Sequence, residues 1–319
     1  MKSFGPSGPE FYFAALLVAA LLSAARAADV DLSFSNACRI DESQFSSHDP
    51  KRLFYFDLDA PGPRGGPERT FTLHAEGDTR FKTWFDPKVP PSDAGDPAAR
   101  SLAVQITSDV DAHKKDKIVL ALVPDQSPAH LSADAAENRR YVSFDFMLDP
   151  KYEKPTAWVL HFQAWQCCGG HPPFTIEALP GADRQGPIDL TFGVRDDAAE
   201  NRRDHPRTVL AGVRVKRGEW HNVVLALAPQ SNASRLPGSI AAWFDGRKLF
   251  SSQRQWGYTP SVSRVRDHLV HDAFAIELGV YRQRQKTTQT IYFQNLRYGK
   301  DLAGVSSLVR TDDESSPPR

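Results

Sequence analysis

No long stretch of this chain places its apolar residues at the three-and-four spacing of a helix. Short runs instead alternate apolar with polar, as a half-buried strand does. In YVSFDFML (141–148) Val142, Phe144, Phe146 and Leu148 share one side, and Tyr141, Ser143 and Asp145 the other. PIDLTFGVR (187–195) and FAIELGVYRQ (274–283) follow the same rule, and EWHNVVLALA and TIYFQNLRYG (290–299) are further strand-like runs. Weaker runs lie at 30–35, 53–58, 70–75, 102–108 and 117–123. Pro and Gly gather in the connections, and Asp245-Gly246 inside SIAAWFDGRKLF (239–250) signals a tight hairpin. Many short strands with turn signals between them predict an all-β fold, a two-sheet antiparallel jelly-roll sandwich.

Residues 28–299 are expected to form one such domain. The Pro/Gly-rich stretches at 61–67 and 87–97 have strand-like runs on both sides, so they read as insertions and not linkers. Residues 1–27 read as a secretory signal: Lys2, an apolar run from Phe11 to Leu22, then Ala25-Arg26-Ala27 as a small-x-small cleavage site. Residues 300–319, rich in Ser, Pro and mixed charge, are expected to be a flexible tail. The protein is therefore expected to be secreted, with no membrane association once the signal is removed.

Export would permit disulfides. Cys38, Cys167 and Cys168 are the three cysteines, and a bridge from Cys38 to the adjacent pair is expected, leaving one thiol over. Asn232, Ala233 and Ser234 form a glycosylation acceptor in a eukaryotic setting. The 39 basic and 39 acidic residues cancel, which removes the global field that nucleic acid or an anionic membrane would require. No nucleic-acid partner is expected, and the protein is expected to be a monomer. His268 and His271 lack a third ligand fixed by spacing, so no metal site is predicted. No cofactor is expected, and a structural calcium has no readable loop.

The chemistry concentrates in TAWVLHFQAWQCCGGHPPFTIEA, residues 156–178. Simple alternation places Trp158, Leu160, Phe162 and Ala164 on the core side and His161, Gln163 and Trp165 on the other. Residues 274–283 add Glu277, Gly279 and Tyr281 opposite their core positions, and residues 239–246 turn Trp243 outward. His161 can transfer a proton, Gln163 can neutralise a carboxylate, and Trp165 and Trp243 can stack on sugar rings. The same polar positions also suit an ordinary solvated sheet face.

The succession W-x-L-H-F-Q-x-W, P-P-F, W-H-N-V, G-x-I-x-x-W-F-D-G-x-x-L, E-L-G-V-Y-R-Q and I-Y-F-Q-N-L-R-Y-G resembles jelly-roll polysaccharide lyases of the heparin lyase I and glucuronan lyase type. It spans residues 140–299, and its last blocks echo the Y-F-K-x-G-x-Y-x-Q element of alginate lyases. The resemblance implies β-elimination on a uronic-acid polysaccharide. It assigns Gln163 as neutraliser, His161 as base or base partner, and Tyr281 as acid and potentially base. Trp165, Trp243, His171, Arg282 and Glu277 are expected to bind substrate. The chain departs from the pattern at Glu277, where related lyases often carry Lys, and a carboxylate there repels a polyuronate. The alternative reading is a non-catalytic carbohydrate-binding sandwich. A glycoside hydrolase would need two carboxylates flanking the bond, and no Glu/Asp alternation supplies them.

Overall fold

The computed structural model describes residues 30–32, 39–41, 53–60, 69–76, 80–86, 88–90, 92, 100–121, 131–132, 139–166, 171–196, 206–229, 238–258, 264–265, 268–269 and 273–309. The signal, Cys38, Cys167, Cys168 and the Asn232 acceptor lie outside the described residues.

Two antiparallel sheets make the fold. In chain order the strands are β1 (Val30–Leu32), β2 (Arg39–Asp41), β3 (Leu53–Ala60), β4 (Arg69–Glu76), β5 (Arg80–Asp86), β6 (Ser101–Thr107), β7 (Lys115–Ala121), β8 (Leu131–Ser132), β9 (Arg140–Leu148) and β10 (Val159–Gln166). They continue with β11 (Phe174–Ala178), β12 (Ile188–Val194), β13 (Thr208–Val215), β14 (Trp220–Ala228), β15 (Ser239–Phe244), β16 (Arg247–Gln253), β17 (Arg264–Val265), β18 (His268–Leu269), β19 (Ala273–Gln283) and β20 (Thr288–Gly299). One sheet runs β16-β15-β14-β9-β20-β6-β5, with β1 beside β20. The other runs β13-β12-β11-β10-β19-β7-β4-β3-β2, with β8 beside β19. The pair β17-β18 stands apart. This is the predicted all-β jelly-roll sandwich.

The core lies between the sheets, built from the alternating apolar positions of both. Phe144 of β9 stacks on Phe162 of β10 at 5.6 Å with the rings 6° from parallel, joining one sheet to the other. The consecutive strands β9 and β10 lie in different sheets, because the connection through Asp149 and Tyr152 crosses the sandwich. The Asp245-Gly246 hairpin is present between β15 and β16. Both residues take positive φ, 50° and 73°, as a two-residue turn matched to strand twist requires.

A short helix, α1 (Leu302–Val305), follows β20, and Asp301 caps its first turn by accepting from the Ala303 N–H. Leu302, Val305 and Val309 are buried against Tyr141, Val224, Ala226 and Ala241. Residues 301–309 therefore pack onto the outside of the first sheet, and are not the frayed tail expected from residue 300. Among the described residues no helix is long and apolar enough to cross a membrane.

Candidate active site

The outer face of the β10-containing sheet is built around a register shift. In β10 the alternation breaks between Leu160 and Phe162. Phe162 and Ala164 face the core as expected, but Val159 takes the core place that simple alternation gave to Leu160. Leu160 stands opposite Tyr281 of β19, and Val159 opposite Arg282. A bulge reverses which residues face outward on its far side.

His161 sits at the shift and is 4% exposed. Its Nδ1 lies 3.0 Å from the Gly279 carbonyl, which can only accept, so Nδ1 carries the proton. Nε2 then accepts from the Tyr152 hydroxyl at 2.8 Å. Burial holds His161 down at about 4 from its ordinary 6.5 and raises Tyr152 above the usual phenol range. Tyr152 belongs to the core cluster, so His161 is drawn into the sandwich as a neutral strut.

Gln163 is also buried, and its amide donates to Glu277 Oε2 across the ladder. Glu277 is held from its other side by Lys117 Nζ, at 2.9 Å from Oε1 and 2.8 Å from Oε2. Lys117 stands opposite Tyr281 in the β7–β19 ladder. Between Glu277 and Tyr281 comes Gly279, at φ 152°. A Cβ there would collide with the Ile118 carbonyl of β7, so only glycine fits.

Tyr281 is half-buried on this face, since Leu278, Val280 and the buried Arg282 take the opposite, inward positions of the alternation. Trp158 meets its ring edge-on at 5.1 Å between centroids. The Lys115 and Lys117 ammonium groups each lie 5.8 Å from its centre.

On the far side of β10, Arg207 lies back across β11 and β12. It donates to the Thr175 hydroxyl and carbonyl and to the Thr191 hydroxyl and carbonyl, at 2.8 to 3.1 Å, and faces Glu177 at 3.5 Å. Gly193 provides the room, because a Cβ there would meet the guanidinium. Burial brings Arg207 down to about 10.

The polysaccharide lyase family matches residues 103–297, which contain β7 to β19 and all but the last two residues of β20. The chain belongs to the polysaccharide lyase family. No curated protein matches the chain. Among solved structures, alginate lyase Aly36B with bound alginate trisaccharide is similar at 10% identity and TM-score 0.44, over 69% of this chain and 87% of that one. Cellulose induced protein Cip1 is similar at 13% identity and TM-score 0.40, over 69% and 86%. The alginate lyase from Klebsiella pneumoniae is similar at 9% identity and TM-score 0.40, over 62% and 81%.

Of the residues singled out for lyase chemistry, Gln163, Glu277 and Tyr281 share the outer face of β10 and β19. Trp165 continues that face opposite Ala275 and is half-buried. His171 is half-buried beyond the end of β10, its carbonyl accepting from the Tyr258 hydroxyl at 2.7 Å. Two expected substrate contacts face elsewhere. Arg282 is 0% exposed, sits opposite core Val159, and donates to the Thr287 carbonyl at 2.8 Å and to Gln289. Trp243 is 1% exposed on the other sheet, covered by Leu302, Val305 and Val309. Its outward position on β15 was read correctly from alternation, but the segment after β20 covers that face. Alternation missed Trp158, which it placed in the core, and Lys117, which it placed in an undifferentiated apolar run. Arg207 lies outside every alternating run. The spacing of Lys115 and Lys117, two apart before an apolar strand, was the available signal for the cations.

Proposed function

We propose that this polysaccharide lyase cleaves a uronic-acid-containing polysaccharide by β-elimination at Tyr281. The observation that carries the reading is the setting of Tyr281: a half-buried phenol on the outer sheet face, bracketed by Lys115 and Lys117 and braced by Trp158. No described residue hydrogen-bonds its hydroxyl, which leaves that group available to a bound sugar.

The reaction needs a base to take the C5 proton of the uronate. The electron pair released forms the C4=C5 double bond, the C4–O bond breaks, and an acid protonates the leaving oxygen. The C5 proton becomes acidic only when positive charge or hydrogen-bond donors stabilise the adjacent carboxylate as it takes up electron density. Tyr281 supplies the proton transfer, with its hydroxyl within reach of one sugar. Lys115 and Lys117 supply the positive potential. Gln163 was the expected neutraliser, and it acts here through Glu277, whose carboxylate it fixes. His161 was the expected base. Its one free lone pair is taken by Tyr152, so in this reading it positions the bulge that presents Tyr281.

The finer likeness, to heparin lyase I and glucuronan lyases, rests on the sequence blocks at 140–299. Secretion and removal of residues 1–27 belong to the same proposal, supported by Lys2, the apolar run and Ala25-Arg26-Ala27. N-terminal sequencing of exported protein checks them, and a retained leader contradicts them. A binding-only sandwich is favoured by one observation, the Glu277 carboxylate that occupies Lys117, the residue opposite Tyr281. Incubation with a panel of uronic-acid polymers separates the two. A lyase leaves an unsaturated uronate that absorbs in the ultraviolet at each new non-reducing end, whereas a binding module retains polymer and releases nothing.

A further inference from the structure

The outer face of the first sheet, across the core from Tyr281, carries a cavity of about 620 Å³. Apolar clusters flank it. Met147 and Tyr292 pack with Trp220 on one side, and Val305 packs with Tyr141 and Val224 on the other. Between them, alternation turns polar residues outward at the middle of the sheet: Ser143 and Asp145 of β9, Asn222 of β14 and Arg297 of β20. Asp145 organises the floor. Its Oδ1 accepts from the Asn222 side-chain amide at 2.7 Å, and its Oδ2 accepts from the Ser92 hydroxyl at 2.6 Å and the Asn295 amide at 2.7 Å. Asn295 reaches it where the β20 register shifts, at φ 49°, a left-handed conformation that asparagine tolerates.

Two polar groups of the lining are left over. Asn222 Oδ1 is buried and meets no donor among the described residues. Ser143 is 4% exposed, and its hydroxyl bonds no described residue. A polar atom buried without its partner costs about 1–3 kcal/mol, which a ligand's hydroxyls would recover here. A cation fits poorly, because both Asp145 oxygens already accept from side-chain donors whose positive ends converge on the floor. A uronate fits poorly too, since Asp145 and Asp245 outnumber Arg297 among the described lining residues. Trp220 also lines the cavity, its indole N–H fixed on the Pro90 carbonyl at 2.9 Å, and an indole ring offers a sugar a flat apolar surface. Hydroxyl-binding groups beside an aromatic ring suit an uncharged pyranose. We infer that this cavity is a second, non-catalytic carbohydrate site that takes uncharged hexose units. The protein thereby has two saccharide faces of different charge preference, one on each sheet.

The test titrates the full chain with cellohexaose, mannohexaose and a glucuronate hexamer, read by calorimetry. Calcium chloride alone forms a separate arm, read by melting temperature. At least one neutral hexamer should bind. Ser143→Ala should weaken it about fivefold, and Trp220→Ala about tenfold. Should Trp220→Ala fold poorly, Ser143→Ala still decides, because it removes a hydroxyl that holds no described residue. Binding of the glucuronate hexamer, on the other sheet, should stay within about twofold in Ser143→Ala. Absence of neutral binding overturns the inference, as does neutral binding that both variants leave unchanged. Loss of glucuronate binding in Ser143→Ala makes the cavity an anion site and overturns it too. A rise in melting temperature with calcium that Asn222→Ala removes, with no neutral hexamer bound, makes it a cation site and has the same consequence. Elimination without neutral binding overturns this inference and leaves the lyase reading standing. Neutral binding that the variants weaken upholds it, whether or not any polymer is eliminated.

Discussion

Lys117 stands directly opposite Tyr281 in the β7–β19 ladder, its ammonium 5.8 Å from the centre of the tyrosine ring, while the same nitrogen holds both oxygens of Glu277. One cation thus joins a carboxylate, through it Gln163, and the face of the proposed proton-transfer residue. The Glu277 that departs from the resembled pattern is answered by a lysine one strand away.

Lys117→Met should lower kcat/KM on a uronate polymer by about tenfold or more, since the positive potential at the sugar carboxylate is lost. It should also destabilise the fold by about 3 kcal/mol, because Glu277 is left as a nearly buried charge without its cation. The double variant Lys117→Met/Glu277→Gln should recover most of that stability in urea titration while activity stays low. Recovery of both together would make Lys117 a purely structural residue.

Gly279→Ala should cost at least about 2 kcal/mol, from the strained φ and the contact with the Ile118 carbonyl. The backbone that gives way carries Tyr281 two residues on, so activity should fall with stability. Chemical denaturation and initial rates on the same preparation check both.

His161 ties pH to stability. Its folded value lies at about 4, below its ordinary 6.5, because burial disfavours the charged ring. Below 6.5 the unfolded chain takes up a proton that the folded chain refuses, so stability falls as pH drops. The loss is spread over the window from 6.5 to about 4 and then levels, reaching at most about 3 kcal/mol. His161→Gln can still donate to Gly279 and accept from Tyr152, so it should flatten the stability profile in that window. An unchanged slope would place the effect on another group.

Much of the fold was legible, because period-two alternation is local and the core positions of β9, β12 and β19 follow from it directly; in β20 the alternation breaks at Asn295, φ 49°, between core Phe293 and Leu296. The hairpin at Asp245-Gly246 was legible for the same reason: two residues with positive φ need those types. The candidate site was legible only in part. Gln163, Glu277 and Tyr281 follow the alternation, but His161 sits in a bulge, where alternation fails. Arg282 was misassigned although its own strand pattern aims it inward with Val280. Trp243 is covered by residues about sixty positions later in the chain, a tertiary event that its own strand cannot announce. Arg207 takes its place by folding back over Gly193, which no local pattern encodes.

Tyr281→Phe tests the central claim most directly. The substitution keeps the ring, its edge-on contact with Trp158 and the two flanking ammonium groups, and removes only the hydroxyl. Release of unsaturated product from the uronate polymer that the wild type cleaves should fall by about a thousandfold, with polymer affinity within about threefold of wild type. Full activity in this variant would contradict the account, because the proton would then be moved by another group and the outer face around Tyr281 would not be the catalytic centre.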